Sequence, residues 1–113
     1  MYNYEKTLSF IGFFTNITSF SNISGSQLTN TSTGTIIIDQ NSDLTISGPI
    51  NNQGIFRFES DERNVTIASG VTISNTGTFE VGRDFINDGI FNSANGVLSV
   101  ERNLINDGPL TLG

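Results

Sequence analysis

The sequence predicts an all-β protein, a right-handed parallel β-helix (β-solenoid) of about five coils with about 19–23 residues in each. Three observations favour this fold. β-branched residues are abundant while good helix formers are scarce, glycines recur at a regular interval, and apolar residues alternate after them. At 113 residues the chain has the length of one domain. We therefore expect a single solenoid domain over 1–113, with an amino-terminal coil or an assembly or capping segment at 1–27 and regular coils at 28–113.

The glycines define the repeat, because most of them fall into two interleaved series with a period of about 21 residues. The first series comprises Gly12, Gly34, Gly54, Gly77 and Gly96, and the second comprises Gly25, Gly48, Gly70, Gly89 and Gly108. A repeat of this length is typical of a solenoid, whose units bury their apolar faces by stacking on their neighbours. Two corners in each coil predict a flattened or three-sided coil. An antiparallel sandwich also uses short strands, but it does not require equivalent residues to recur at this interval.

Apolar residues follow the first glycine series at every second position, which is the period of a strand with one buried face. The residue two places after each glycine is predicted to face inward, and these residues form one column along the axis. This inward column comprises Phe14, Ile36, Phe56, Phe79 and Leu98.

Asparagine lies two residues before a glycine at four corners, in the pattern N-x-G. These residues are Asn52, Asn75, Asn87 and Asn106. Asparagine and glycine both tolerate the backbone of a tight corner, and identical asparagines in successive coils can bond to one another in a ladder. We expect these asparagines to have a structural role.

Two units near the carboxyl end, "GTFEVGRDFINDGIFNS" and "GVLSVERNLINDGPLTL", share the alternation and the N-x-G corner. They resemble the coils of filamentous-haemagglutinin-type right-handed β-helix adhesins, and the resemblance covers about residues 28 to 113. It implies a surface-exposed rod with an attachment or scaffolding role, without assigning a ligand. The chain is far shorter than such adhesins, and residues 1–27 do not resemble their secretion-signalling cap.

The charge balance excludes some partners. The net charge of −6 argues against nucleic acid or an anionic membrane, since both require clustered Lys and Arg. The sequence lacks an apolar run long enough to span a membrane, and its first twenty residues contain no clear signal peptide. The resemblance implies an extracellular or cell-surface location, and a virion surface is the other setting that we considered.

Catalysis is not expected, because the chain has neither His nor Cys and so offers carboxylates alone as acid and base groups. The carboxylates that we considered are Asp61 with Glu62, Asp84 with Asp88, and Asp107. We expect no cofactor and no catalytic residue.

The nineteen-residue repeat places Asp88 over Asp107 and Arg83 over Arg102, so that like charges stack. A cation bound between the two aspartates is one hypothesis, since Ca²⁺ prefers carboxylate oxygens. The favoured alternative is diagonal pairing of the two arginines with Asp84 and Glu101.

The two ends of the rod indicate its function. Residues 7–38 include no charged side chain, and the sequence after Gly108 does not resemble a cap. We expect an assembly interface between an amino-terminal and a carboxyl-terminal face. The amino-terminal face comprises Phe10, Phe13, Phe14 and Ile17, and the opposite face Leu110 and Leu112. The leading hypothesis is a self-assembling subunit that stacks head to tail with copies of itself into a filament or surface appendage.

Two alternatives remain open. The first is an adhesin-type binding module that recognises a glycan or a host surface through a lateral face of the solenoid. The second is that these residues are a fragment of a longer rod.

Overall fold

A computed structural model of the chain describes residues 11–12, 22–23, 27–38, 43–59 and 64–113. These residues contain fifteen β-strands, numbered β1 to β15 along the chain, which pair in parallel to form three sheets. Sheet A contains β1 (Ile11–Gly12), β3 (Leu28–Asn30), β6 (Ile50–Asn52), β9 (Thr72–Asn75), β12 (Ile90–Ser93) and β15 (Leu110–Leu112). Sheet B contains β4 (Thr35–Ile38), β7 (Ile55–Phe58), β10 (Thr78–Val81) and β13 (Val97–Val100). Sheet C contains β2 (Asn22–Ile23), β5 (Leu44–Ile46), β8 (Val65–Ile67), β11 (Phe85–Asn87) and β14 (Leu104–Asn106).

The chain visits sheets A, B and C in turn, so each coil is a triangle of three short strands. The predicted all-β parallel solenoid is therefore confirmed, while the right-handed sense of winding stays a prediction. The structure has about four coils, with strands β3 to β14 forming the complete ones, where the sequence predicted about five. The difference arises at the amino-terminal glycines, where the described residues supply β1 and β2 and not a full triangle.

Strands form here because alternate residues are apolar, and the alternation places one face of each strand in the core. In β7 and β10, for example, the second and fourth residues are buried and the first and third are partly exposed. Residues that stack from coil to coil are 18 to 23 positions apart in sequence. Coils of different length differ at their corners and not within their strands, so the strands stay in register.

Parallel pairing brings the predicted inward residues of sheet B together in one column. Phe56 is the register partner of both Ile36 and Phe79, and Phe79 is the partner of Leu98. The first three are fully buried, whereas Leu98 is half-buried. Phe14, the fifth predicted member, lies outside the described residues.

Phenylalanine rings from all three sheets meet on the axis of the solenoid. The ring of Phe79 stacks on Phe56 with centroids 5.4 Å apart and contacts Phe91 edge-on at 5.2 Å. Phe85 and Phe91 make a further edge contact at 5.3 Å. Aromatic pairs of this geometry add to the stability gained from burial alone, so Phe79 is the centre of the core.

Glycine is required at the corner between sheets A and B, because backbones of successive coils approach closely there. A Cβ atom on Gly77 would overlap the carbonyl oxygen of Gly54, and one on Gly54 would overlap the carbonyl oxygen of Gly34. The series of corner glycines therefore reflects the close stacking of the coils.

We predict that Phe79→Ala lowers the free energy of unfolding by about 3–5 kcal/mol, because it leaves a cavity beneath four other phenylalanine rings. Denaturant titration followed by circular dichroism measures the change. The control is Ser74→Ala on the exposed face of β9, which should change stability by at most about 0.5 kcal/mol. Equal effects of the two variants would contradict this description of the core.

Candidate functional site: asparagine ladders and the carboxyl-terminal face

Buried side-chain amides form a ladder along the inner corner of sheet A. Asn30 Nδ2 donates to Asn52 Oδ1 at 2.8 Å, and Asn52 Nδ2 donates to Asn75 Oδ1 at 2.7 Å. Asn75 Nδ2 then donates to Ser93 Oγ at 2.9 Å. All four residues are fully buried, so these bonds satisfy polar groups that would otherwise be costly in the core. The exception is Asn30 Oδ1, which has no donor among the described residues.

Each amide of this ladder also binds the backbone at the corner. Asn52 Nδ2 donates to the carbonyl of Gly54 at 3.2 Å and to that of Thr78 at 2.9 Å. Asn75 makes the same contacts with Gly77 and Val97. One side chain thus joins its own corner to the next coil, which fixes the register between coils.

A second ladder lies in sheet C. Asn87 Nδ2 donates to Asn106 Oδ1 at 2.8 Å and to the carbonyl of Pro109 at 3.1 Å. The equivalent residues of the preceding coils are Ile46 and Ile67. Buried Asn87 Oδ1 has no hydrogen-bond donor among the described residues, because its neighbour in that column is an isoleucine. This ladder therefore begins at Asn87.

The four asparagines predicted at corners thus lie in two separate ladders. Sequence reasoning missed Asn30 and Ser93, the first and last members in sheet A. Asn30 was missed because its corner is longer, so that Gly34 follows four residues later; its Nδ2 still donates to the Gly34 carbonyl at 3.3 Å. Ser93 was missed because a hydroxyl replaces the amide.

A third polar column lies at the start of the strands of sheet C, and it was also missed. It comprises Asp43, Asn64, Asp84 and Asn103, one residue from each coil. Asp43 Oδ1 accepts the backbone N–H of Asn64 at 2.9 Å, and Asp84 Oδ1 accepts both the backbone and side-chain N–H groups of Asn103. Because Asp alternates with Asn, a coil without a carboxylate in this column lies between the two carboxylates, which reduces the repulsion between them. In the sequence, the signal of this column is an Asp or Asn directly before each of these four strands of sheet C.

The carboxyl-terminal face of the solenoid exposes the interior of its last coil. We define this face by the inward positions of β13, β14 and β15, which are Leu98, Val100, Leu104, Asn106, Leu110 and Leu112. Leu104 is 40 % exposed, whereas its register partner Phe85 in the coil below is 0 % exposed. Leu112 is 52 % exposed above the buried Ser93. A further coil on this face would bury all six.

The same face presents open strand edges. Within the described part of the chain, β13, β14 and β15 are the outermost strands of sheets B, C and A. At the end of the sheet C ladder, Asn106 Nδ2 donates to the Gly108 carbonyl at 2.7 Å, and its amide is exposed. Edges of this kind are templates for pairing with another strand.

The predicted assembly residues are described in part. Leu110 is half-buried and packs against the core, and Leu112 is exposed on the carboxyl-terminal face. The predicted amino-terminal residues Phe10, Phe13, Phe14 and Ile17 lie outside the described residues.

The acidic candidates do not form a metal centre in the described structure. Asp88 and Asp107 follow the register partners Asn87 and Asn106, and both are exposed. Among the residues that the structure describes, no three groups of the ligating types converge where they could hold a metal ion. Asp61 and Glu62 lie outside the described residues. A cation between Asp88 and Asp107 stays the less favoured hypothesis, beside diagonal pairing of Arg83 and Arg102 with Asp84 and Glu101.

A lateral groove of about 700 Å³ runs along the side of the solenoid beside sheet B. Its charged lining consists of Arg57, Glu59, Glu80, Glu101 and Arg102. Arg57 Nε donates to Glu80 Oε1 at 3.1 Å, and Arg57 Nη1 lies 3.7 Å from Glu59 Oε2. These side chains are about a third exposed or more, so the ion pairs contribute little to stability and remain accessible to a ligand.

No family model, curated protein or solved structure matches this chain. The structure shows a parallel β-solenoid, and the resemblance to filamentous-haemagglutinin-type adhesins stays a prediction from the coil pattern. Within the described ranges, the chain contains no helix with the length and apolar character needed to cross a membrane.

We predict that Asn52→Ala destabilises the fold, because it leaves Asn75 Oδ1 without its donor and removes one of the three acceptors of Asn30 Nδ2. Each buried polar group left unpaired costs about 1–3 kcal/mol, and chemical denaturation measures the loss. Asn51→Ala is the matched control, since Asn51 lies on the outer face of the same strand. If both variants unfolded at the same denaturant concentration, the ladder would not contribute to the stability of the fold.

Proposed function

We propose that this protein is a self-assembling structural subunit, whose copies stack head to tail into a filament or surface appendage. The observation that carries this proposal is the carboxyl-terminal face of the described residues, where Leu104 is 40 % exposed and Leu112 is 52 % exposed on the outermost strands of sheets C and A. In this face the inward positions are occupied by five aliphatic residues and Asn106.

Backbone hydrogen bonding and burial of apolar side chains both favour a second solenoid as the partner. A strand placed beside β13, β14 or β15 would satisfy backbone N–H and C=O groups, as each coil already does for the one below. Stacking a second solenoid on this face also removes Leu104, Leu110 and Leu112 from water, which stabilises the contact in proportion to the apolar area buried.

The junction is proposed to be heterologous, joining the carboxyl-terminal face of one copy to the amino-terminal coil of the next. Residues 7–38 carry no charge, so the amino-terminal part of the sequence offers no repulsion to an apolar face. A heterologous contact that does not close a ring repeats into a fibre.

We propose further that the protein acts outside the cell or on a cell or virion surface, without a catalytic step or a cofactor. The coil pattern shared with surface adhesins supports this location, and the lack of His and Cys in the sequence supports a non-enzymatic role.

The test of assembly is a charge placed on the carboxyl-terminal face. Purified chain should form particles far larger than one copy at micromolar concentration, seen by light scattering and negative-stain electron microscopy. Leu104→Lys should abolish them, because a cation would be buried in the junction without a partner. Ile90→Lys on the outer face of β12 is the control, and it should assemble as the parent does. A parent chain that stays monomeric would refute the proposal.

The lateral groove favours a second candidate function, which is adhesin-type recognition of a glycan or a host surface. Its arginines and carboxylates offer charge-assisted hydrogen bonds to hydroxyl, amide and charged groups of a sugar. The groove faces sideways, so a ligand there leaves both ends of the rod free.

A glycan array tests this second candidate. We predict a signal that Arg57→Ala weakens about tenfold or more, which corresponds to about 1.4 kcal/mol and to the loss of one charge-assisted bond. The control is Thr45→Ala on the exposed face of sheet C, which should keep the signal. Binding by neither the parent nor the control, with assembly intact, would leave the structural role alone.

A further inference from the structure

The order of the strands restricts how two stacked copies can meet. Of the described strands, β1 in sheet A and β2 in sheet C are outermost on one side of the stack, and β14 in sheet C and β15 in sheet A are outermost on the other. In each copy β3 follows β2 into sheet A, just as β15 follows β14. When β2 of a second copy pairs with β14 of the first, β3 of the second copy therefore arrives beside β15 of the first.

That position beside β3 is already taken within the second copy. β1 pairs with β3 through Ile11 opposite Thr29 and Gly12 opposite Asn30, on the side that faces the first copy. Two strands cannot occupy one edge, so a junction that closes sheet C has room for β1 or for β15, and not for both.

We propose that β15 of one copy replaces β1 of the next copy along β3, so that assembly proceeds by strand exchange. This inference rests on the proposed head-to-tail assembly and specifies its partner surface. The occupant of the β3 edge is the segment Leu110–Leu112 of a second copy of this chain.

β15 is the better strand of the two for this edge. It has three residues in register with β12, and Leu110 packs against the hydrophobic core. The described residues of β1 are Ile11 and Gly12, and Gly12 has no side chain to pack at this edge. In the exchanged strand, Leu110 of β15 lies in the apolar column of sheet A, where its side chain is buried at the edge of β3.

The register of the exchanged strand follows from the columns of sheet A. Leu110 belongs to the column of Phe91 and Leu28, and Thr111 belongs to that of Asn92 and Thr29. In the junction Leu110 therefore lies beside the buried Leu28, and Thr111 lies beside Thr29 on the outer face.

Stacking without exchange leaves the junction incomplete. If β1 of the second copy paired with β15 of the first, β14 and β2 would be two strand spacings apart, about 10 Å. That gap would leave Leu104 exposed and the edge of β14 unpaired.

The exchanged junction contains two unfavourable pairs. One is Leu112 beside the buried amide of Asn30, whose Oδ1 has no hydrogen-bond donor among the described residues. In the other, register places Ile23 of the second copy over Asn106, because Ile23 shares the column of Ile46, Ile67 and Asn87. Isoleucine offers no acceptor, but Asn106 Nδ2 keeps its bond to the Gly108 carbonyl at 2.7 Å. The two amides lower the stability of the junction without preventing it.

Cross-linking tests the exchange directly, since the chain has no Cys of its own. In the double variant Thr29→Cys/Thr111→Cys, the two thiols lie four strand spacings apart within a copy, roughly 19 Å, and one spacing apart across an exchanged junction. A short bismaleimide that bridges neighbouring strands should therefore produce a ladder of covalent oligomers on a denaturing gel. The matched variant Ile11→Cys/Thr111→Cys should give no ladder, because exchange separates those strands.

Each result has a defined meaning when light scattering is measured on the same samples. A ladder from Ile11→Cys/Thr111→Cys and not from Thr29→Cys/Thr111→Cys would overturn the exchange and keep end-to-end assembly. Large particles without a ladder in either variant would also overturn the exchange. Monomeric parent and variants would overturn the proposed function itself, together with the exchange that rests on it.

Discussion

The parallel pairing of backbone between successive coils is the constraint on which the rest of this structure depends. A coil of three short strands cannot satisfy its own N–H and C=O groups, so each coil depends on its neighbours for stability. The stacking distance then dictates what the corners and the interior can contain. It admits glycine alone where backbones approach, as at Gly77, and it brings Phe56 and Phe79 into ring contact.

Two kinds of column, the stacked phenylalanines and the asparagine ladders, hold the coils in place in different ways. The phenylalanines supply most of the buried apolar area but tolerate small shifts of position, because dispersion has no preferred direction. The asparagine ladders are directional, since an amide must meet its partner's oxygen at about 2.8 Å. A slip of one residue would turn every inward side chain outward and break each ladder at once.

The sequence was sufficient for the fold, because glycine spacing and alternation both arise from local geometry that repeats in every coil. It was sufficient for Asn52 and Asn75 for the same reason, since the N-x-G corner is short and recurs. The ladder role of Asn30 could not be predicted because its corner is longer, and that of Ser93 because a hydroxyl takes the place of the amide oxygen as acceptor. The lateral groove could not be predicted, because it depends on how far Arg57, Glu80 and Arg102 lie from one another across coils.

The final repeat is nineteen residues on every sheet, as Asn87 and Asn106 show in sheet C. An in-frame duplication of nineteen codons in this region would therefore insert one whole triangle and displace no existing contact except those at the end. Each such event would lengthen the rod by about 4.8 Å. Evolution can in this way adjust how far a rod of this type reaches in small equal steps, with no need to invent a new core each time.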